Sequence, residues 1–271
     1  MAESFRSPRK VLRRLRYLPL TRKKISNWLA FIYHYALGLK PAKPYLFRNG
    51  AQLMIGRAID HVPIIEIFLD EEYGTIPNDA VVLDLGANIG VFSIYATTTA
   101  RNLQVYAYEP YPAFSELLKE NVRLNQQMAA IRCFDSAVAG EPGNRSLQLA
   151  EEGFFFPTLI HSAEKGSAEN QVATRCVTLT EIMDDNALAD IDLLKMDCEG
   201  AEYEILYATP ASHLRRIREL RMEYHNLDTP EHQIDRLEKF LAGHGFTVTQ
   251  RRANSRTNGM IWLRQEDAKP A

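Results

Sequence analysis

At 271 residues, with 46% apolar and 24% charged residues and a net charge of −2, the chain has the bulk of one large globular α/β domain plus an extension. A near-neutral chain gives no nucleic-acid signal, so nucleic acid is not an expected partner, and the three cysteines Cys133, Cys176 and Cys198 lack disulfide or zinc spacing, which fits a reducing, cytoplasmic compartment. The average hides a split: residues 1–50 carry 12 Lys and Arg against one acid, Glu3, whereas the remainder carries 20 basic and 33 acidic residues.

Residues 1–50 read as a basic, amphipathic helical extension and residues 51–271 as one domain. The first residues are charged and lack an apolar core, so no secretory signal is expected. The stretch ISNWLAFIYHYALGL (25–39) is too short and too interrupted to span a bilayer. Two readings remain for it. It packs on the body or on a second copy, as in a homodimer. Or residues 9–39 lie on a membrane surface, with Trp28, Phe31 and Tyr33 inward and the Arg-Lys run 9–24 beside anionic head groups, which makes the protein peripheral to a membrane.

From residue 79 onward, apolar runs alternate with helix-period segments. AVVLDLG (80–86) is apolar and β-branched, as a strand buried on both faces requires, and a helix over 89–100 follows. LQVYAYEP (103–110) is the second strand, and PAFSELLKENVRLNQ (112–126) a helix with proline near its start. IRCFDSAVA (131–139), IDLLKMD (191–197) and LRMEYH (220–225) supply the third, fourth and fifth strands. A helix containing AEYEILYA follows the fourth, and PEHQIDRLEKFLAGHGF (230–246) is a helix ending at a glycine signal. FTVTQRR and GMIWLRQ close the chain as an antiparallel pair, because the loop between them has no room for a helix. The alternation predicts right-handed crossovers and an α/β fold: a Rossmann-like, mostly parallel seven-stranded sheet with the last strand antiparallel. Between the third and fourth strands, RSLQLA reads as a hairpin or strand, GFFFPT as core, and HSAEKGSAENQ (161–171) as a mobile lid.

Ligands of open α/β sheets collect outside the carboxyl ends of the strands. Those ends present Asp84, Gly86, Ala87, Asn88 and Gly90, then Glu109 and Pro110, then Asp135, Ser136 and Ala137, then Lys195, Asp197 and Glu199, then Glu223 and His225. The first turn has glycines at offsets 0 and 4, not at the 0, 2 and 5 of the dinucleotide fingerprint. A tight connection needing φ > 0 accounts for them as readily as a ligand lying on the backbone. Glu109 strengthens the ligand reading, because an acid ending the second strand accepts both hydroxyls of a ribose. The ring of carboxylates disfavours phosphate. A cationic nucleoside, S-adenosylmethionine, fits better. Asp84 and the turn (Gly86, Ala87, Asn88, Gly90, with Phe92 on the following helix) would hold its amino-acid tail. Glu109 and Pro110 would hold the ribose, Ser136 and Ala137 the adenine, and Asp197 would complete the site.

DLGANIGVFS, YAYEP, VTLTEIM, LLKMDCEGAEYEIL and MEYH, with the lead-in IIEIFLDEEYG, resemble the FkbM family of S-adenosylmethionine-dependent methyltransferases over residues 64–225. The resemblance implies a class I methyltransferase domain over 51–271 that methylates a hydroxyl of a sugar, glycolipid or small natural product. It gives Cys198 no chemical role, and the basic head lies outside it.

Methyl transfer from a sulfonium asks the protein to align an in-line attack and to relieve the acceptor hydroxyl of its proton. His225 is the first choice for general base, because an unperturbed imidazole titrates near neutrality; Asp197 is the second. Glu199 and Glu223 complete the candidate catalytic set, although Glu202, and less readily Glu199, is equally read as a carboxylate on a helix N-terminus. Lys195 would orient the acids or the substrate. A divalent ion on Asp197, Glu223 and His225 is a further reading. Lys195, Asp197 and Glu199 also hint at an RNA or other nucleoside 2′-O-methyltransferase. An NAD-dependent oxidoreductase and a non-catalytic, membrane-associated relative of the fold are the remaining alternatives.

Overall fold

The computed structural model describes residues 17–126, 130–148, 158–160 and 171–266. The first half of the basic run, the FFF cluster and nearly all of the predicted lid lie outside these residues. Helices α1 (Leu18–Lys24) and α2 (Trp28–Leu37) come first, and α2 stops at Gly38, whose left-handed φ of 66° turns its N–H back onto His34 and Tyr35. The hairpin β1 (Tyr45–Leu46) and β2 (Gln52–Leu53) follows, then α3 (His61–Ile64), which runs into a π-helical turn over Ile65–Leu69. No strand periodicity announced this hairpin.

The alternating part then unfolds in order: β3 (Val81–Leu85), α4 (Val91–Thr99), β4 (Gln104–Tyr108), α5 (Pro112–Leu124), β5 (Ala130–Phe134), β6 (Ala137–Val138), β7 (Gly143–Gln148), β8 (Thr158–Ile160), β9 (Gln171–Val177) and α6 (Leu179–Asp185). It ends with β10 (Ile191–Met196), α7 (Glu202–Ala208), α8 (Ala211–Leu214), β11 (Ile217–His225), α9 (Ile234–Ala242), β12 (Phe246–Ala253) and β13 (Asn258–Gln265). The main sheet has seven strands in the order β12-β13-β11-β10-β3-β4-β5, parallel except for β13, which pairs antiparallel with both neighbours. This is the predicted Rossmann-like sheet.

The segment 131–139 is two strands rather than one. Asp135 and Ser136 break it, and Ala137–Val138 leaves the main sheet to pair with β9. Together with β7 and β8 these make a second, four-stranded sheet, so the insert is a mixed sheet where a single hairpin was expected.

Each face of the main sheet is covered by its own apolar core. One contains Leu83, Leu85, Tyr106, Leu194, Met196, Leu220 and Met222. The other contains Val82, Val105 and Leu193 together with Ile25, Phe31, Tyr45, Phe47 and Leu53. The boundary drawn at residue 50 thus passes through a continuous core. Phe31 is fully buried and Trp28 is packed against this core, which corrects the picture of both rings facing a membrane; Leu29 (67% exposed) and Tyr33 (57%) are the outward apolar residues of α2.

Candidate active site

Gly86 and Gly90 have φ of 72° and 85°, in the left-handed region that favours glycine. A Cβ on Gly86 would stand 1.8 Å from the carbonyl oxygen of Asp197, and one on Gly90 2.5 Å from Leu118 Cδ1. The packing of β3 against the end of β10 therefore demands Gly86, while the φ of the turn and its approach to α5 favour glycine at Gly90. Within the turn, the N–H groups of Gly86 and Ala87 donate to the Tyr108 carbonyl (3.1 and 3.0 Å), that of Asn88 to Glu109 (2.8 Å), and that of Gly90 to Ala87 (2.8 Å). None of these four donors is turned to a phosphate. What the site offers instead is acceptors: Asn88 Oδ1 and Asp197 Oδ1 are both buried without a hydrogen-bond partner. The ribose hydroxyls and ammonium of S-adenosylmethionine would supply donors to these atoms, which a pyrophosphate would not, so the residues fit the former better.

A cleft of about 590 Å³, part of it open to solvent, lies at these strand ends. Its walls are Gly86, Asn88, Glu109, Pro110, Ala137, Asp197 and Glu199, all expected but for the fine detail, joined by Tyr108, Phe114, Val138, Leu147 and Cys198. Glu109 Oε2 and Oε1 accept the N–H groups of Asn88 and Tyr111, each at 2.8 Å. Burial nevertheless lifts its carboxyl to about 7, against the pull of those two hydrogen bonds. Leu147 and Val138 come from the second sheet, which no periodicity in the sequence announced. Phe114 was legible only as part of an apolar helix face.

Asp84, Ala87, Gly90 and Phe92 are buried in the interior and do not line this cleft. Phe92 packs edge-to-face on Tyr73, with ring centroids 5.1 Å apart. Asp84 accepts from Ser93 Oγ (2.6 Å) and is paired with Lys195, which stands beside it in register on β10; Nζ to Oδ1 is 3.0 Å. Lys195 also donates to the carbonyls of Gly86 (2.8 Å) and Leu85 (3.3 Å). Burial alone would lower the lysine's pKa, but the charges of Asp84 and Asp197 outweigh it and hold the ammonium charged. Lys195 thus ties the glycine turn to β10 and belongs neither with a substrate nor with a Lys-Asp-Lys-Glu set. Ser136 is half-buried and off the cleft wall, and Asp135 is turned outward to Lys119 (2.5 Å) and Ser115.

Along β11, alternate residues share a face, so Glu223 and His225 point together while Met222 and Tyr224 enter the core. They meet Asp197 at the end of the adjacent strand: one donor atom from each of the three lies within 4.8 Å of the others. His225 Nδ1 is 3.3 Å from Glu202 Oε1, and its Nε2 faces Glu199 Oε2 at 3.6 Å and Glu223 Oε1 at 4.0 Å. Glu202 is fully buried and accepts the N–H groups of Cys198 (2.8 Å) and Gly200 (3.0 Å), so it is more than a helix-terminal carboxylate. Burial would lower the His225 pKa, but the hydrogen bond to Glu202 and the charges of Glu202, Glu199 and Asp197 raise it to about 10. With no ion bound, these carboxylates favour the protonated imidazole, which weighs against His225 as the proton acceptor. Burial, reinforced by the Asp197 charge, pushes Glu199 up to about 7 and Glu223 to about 8.

A doubly wound parallel sheet with one antiparallel strand beside its edge, an acid ending the second strand and a cleft at the switch between β3 and β10 define a class I methyltransferase. Residues 84–248 match the family model described as the methyltransferase FkbM domain, and the chain belongs to this family of S-adenosylmethionine-dependent methyltransferases. That removes the oxidoreductase and non-catalytic alternatives. Relatives include methyltransferase sdnD of Sordaria araneosa, 28% identical over 74% of this chain and 88% of the relative. The 31-O-demethyl-FK506 methyltransferase FkbM of Streptomyces tacrolimicus is 28% identical over 68% of this chain and 80% of the relative. The hexuronic acid methyltransferase AglP of Haloferax volcanii is 25% identical over 53% and 54%. Among solved structures, magnesium protoporphyrin IX methyltransferase (ChlM) of Synechocystis PCC 6803 is 12% identical with a TM-score of 0.45, covering 77% of this chain and 81% of that one. That likeness bears on neither cofactor nor acceptor.

Proposed function

We propose that the protein methylates a hydroxyl of a sugar, glycolipid or small natural product, with Glu199 as the proton acceptor. The observation that carries this is the single cleft in which Glu109, Asn88, Asp197 and Glu199 share one wall at the ends of β3, β4 and β10. Glu109 and Asn88 would take the ribose hydroxyls, Asp197 the donor's ammonium or sulfonium side, and Tyr108, Pro110 and Val138 the flat apolar base. Bound there, S-adenosylmethionine supplies a methyl already activated on a sulfonium. The chain's own part is then to exclude water, align the hydroxyl and remove its proton.

Glu199 suits that last task. It lies on the cleft wall, is held at a φ of 52° that a glutamate rarely adopts, and has a carboxyl near 7. His225 Nε2 stands 3.6 Å from its carboxylate. The names of the 31-O-demethyl-FK506 and hexuronic acid methyltransferases support a natural-product or sugar hydroxyl as the acceptor class. The outward Leu29 and Tyr33, on a head with 12 basic residues, support contact with an anionic membrane; no helix among the described residues is long and apolar enough to cross one.

The test is a donor-consumption screen over nucleotide sugars, lipid-linked sugars and hydroxylated metabolites, followed by Glu199→Gln on the best acceptor. Turnover should fall by about 10²–10⁴-fold with S-adenosylhomocysteine affinity held within a few-fold. Full turnover in Glu199→Gln rejects the residue's role, and an acceptor nitrogen or carbon rejects O-methylation.

A further inference from the structure

We propose that Asp197, Glu223 and His225 bind a divalent cation at the edge of the donor cleft, where it holds the hydroxyl of the acceptor beside Glu199. The cation's role rests on the methyltransferase reading above; the site itself rests on geometry. One donor atom from each residue lies within 4.8 Å of the other two. Donors on opposite sides of an ion with bonds of about 2.2 Å stand about 4.4 Å apart, so side-chain rotation alone closes the set on an ion. All three residues stand at the ends of β10 and β11, central strands of the sheet, which gives them little freedom to scatter.

Two observations set this cluster apart from a group of surface acids. Asp197 Oδ1 is buried and lacks any hydrogen-bond partner, a costly state for a carboxylate that a cation would relieve. Among the described residues no lysine or arginine pairs with Asp197, Glu199 or Glu223, because Lys195 is turned to Asp84 and two carbonyls. Second, His225 is oriented from behind. Its Nδ1 is directed at Glu202, a fully buried carboxylate that is itself fixed by two backbone N–H groups, and this leaves Nε2 facing Glu199 and Glu223. A carboxylate on the far nitrogen is the usual support of a metal-ligating histidine, because it fixes ring orientation and tautomer. Glu202 is therefore a positioning residue. Two carboxylates and one imidazole suit Mn²⁺ or Zn²⁺ better than Ca²⁺ or Mg²⁺, which prefer oxygen alone.

The experiment is titration of the chelator-treated full chain with Mn²⁺, read by the loss of the free-ion paramagnetic resonance signal, with S-adenosylhomocysteine calorimetry on the same samples. One Mn²⁺ per chain is expected, displaced by Zn²⁺. Glu223→Gln and His225→Ala should each weaken it at least about 10-fold, and Glu202→Gln by about 10–100-fold. Glu223→Gln, half-buried and isosteric, keeps the test decisive should Glu202→Gln fail to fold. A chain that binds S-adenosylhomocysteine but takes up neither Mn²⁺ nor Zn²⁺ overturns the site and leaves the methyltransferase reading intact. Mn²⁺ binding unchanged in Glu223→Gln and His225→Ala overturns it equally. Mn²⁺ bound as expected without S-adenosylhomocysteine upholds the cation site and counts against the donor cleft.

Discussion

Lys195→Met separates a structural lysine from a catalytic one. Lys195 and Asp84 expose 5% and 0% of their side chains, at 3.0 Å, and the ammonium also serves the carbonyls of Gly86 and Leu85. Methionine keeps the volume, so the cavity left behind is small and the loss is electrostatic. Removing one partner of a buried pair destabilises by about 3–5 kcal/mol, because the other charge remains uncompensated. Asp84 keeps its 2.6 Å hydrogen bond from Ser93, which favours the lower half of that range. At about 2–4 °C per kcal/mol for a domain of this size, the melting temperature should fall by roughly 6–16 °C. Thermal melts and urea unfolding measure it, with an unchanged m-value confirming that only stability moved. The double variant Asp84→Asn/Lys195→Met should recover at least half of the loss, since no lone charge stays buried. At a temperature where Lys195→Met is folded, its S-adenosylhomocysteine affinity should stay within a few-fold of wild type. A variant that melts within about 2 °C of wild type yet has lost methyl transfer would refute the reasoning and return Lys195 to the chemistry.

Glu109→Gln should fold and weaken S-adenosylhomocysteine by about 1.5–3 kcal/mol, the loss of charged acceptors for ribose, read by calorimetry. Because the Glu109 carboxyl titrates near 7 in the folded chain, wild-type affinity should drop as pH falls below 7, and the drop should be absent in Glu109→Gln. The same group acts oppositely on stability. Its folded pKa is raised from 4.5 to about 7, so the stability it contributes is complete below 4.5 and is lost as pH rises through 7; Glu109→Gln should flatten that part of the melting profile. Gly86→Ala should yield little folded protein, because φ is left-handed and the methyl meets a backbone oxygen at 1.8 Å, whereas Gly90→Ala meets only the movable tip of Leu118 and should fold with a melting temperature a few degrees lower. Flotation with anionic vesicles at low salt should carry the chain upward, and Leu29→Asp with Tyr33→Asp should abolish it; no flotation of wild type would leave α1 and α2 as packing elements.

The order of strands was legible because parallel strands buried on both faces are apolar throughout, and the sequence separates them by helices of the right period. The acids at the strand ends were legible for the same reason: once strands are placed, their last residues are known. Glu109, Asp197 and Glu199 needed nothing more. What a one-dimensional reading could not decide was which of those groups face one another. The Asp84–Lys195 pair depends on register between strands far apart in the sequence, and register is set by packing. The His225 pKa depends on Glu202, 23 positions earlier, and on Glu199, brought together only when α7 folds over the sheet. A side chain's ionisation follows from burial and neighbouring charge, both properties of the assembled molecule. The glycine turn shows the division most plainly. The residues Gly86 and Gly90 announced positive φ, but only the tertiary structure revealed that a carbonyl and a leucine crowd against them.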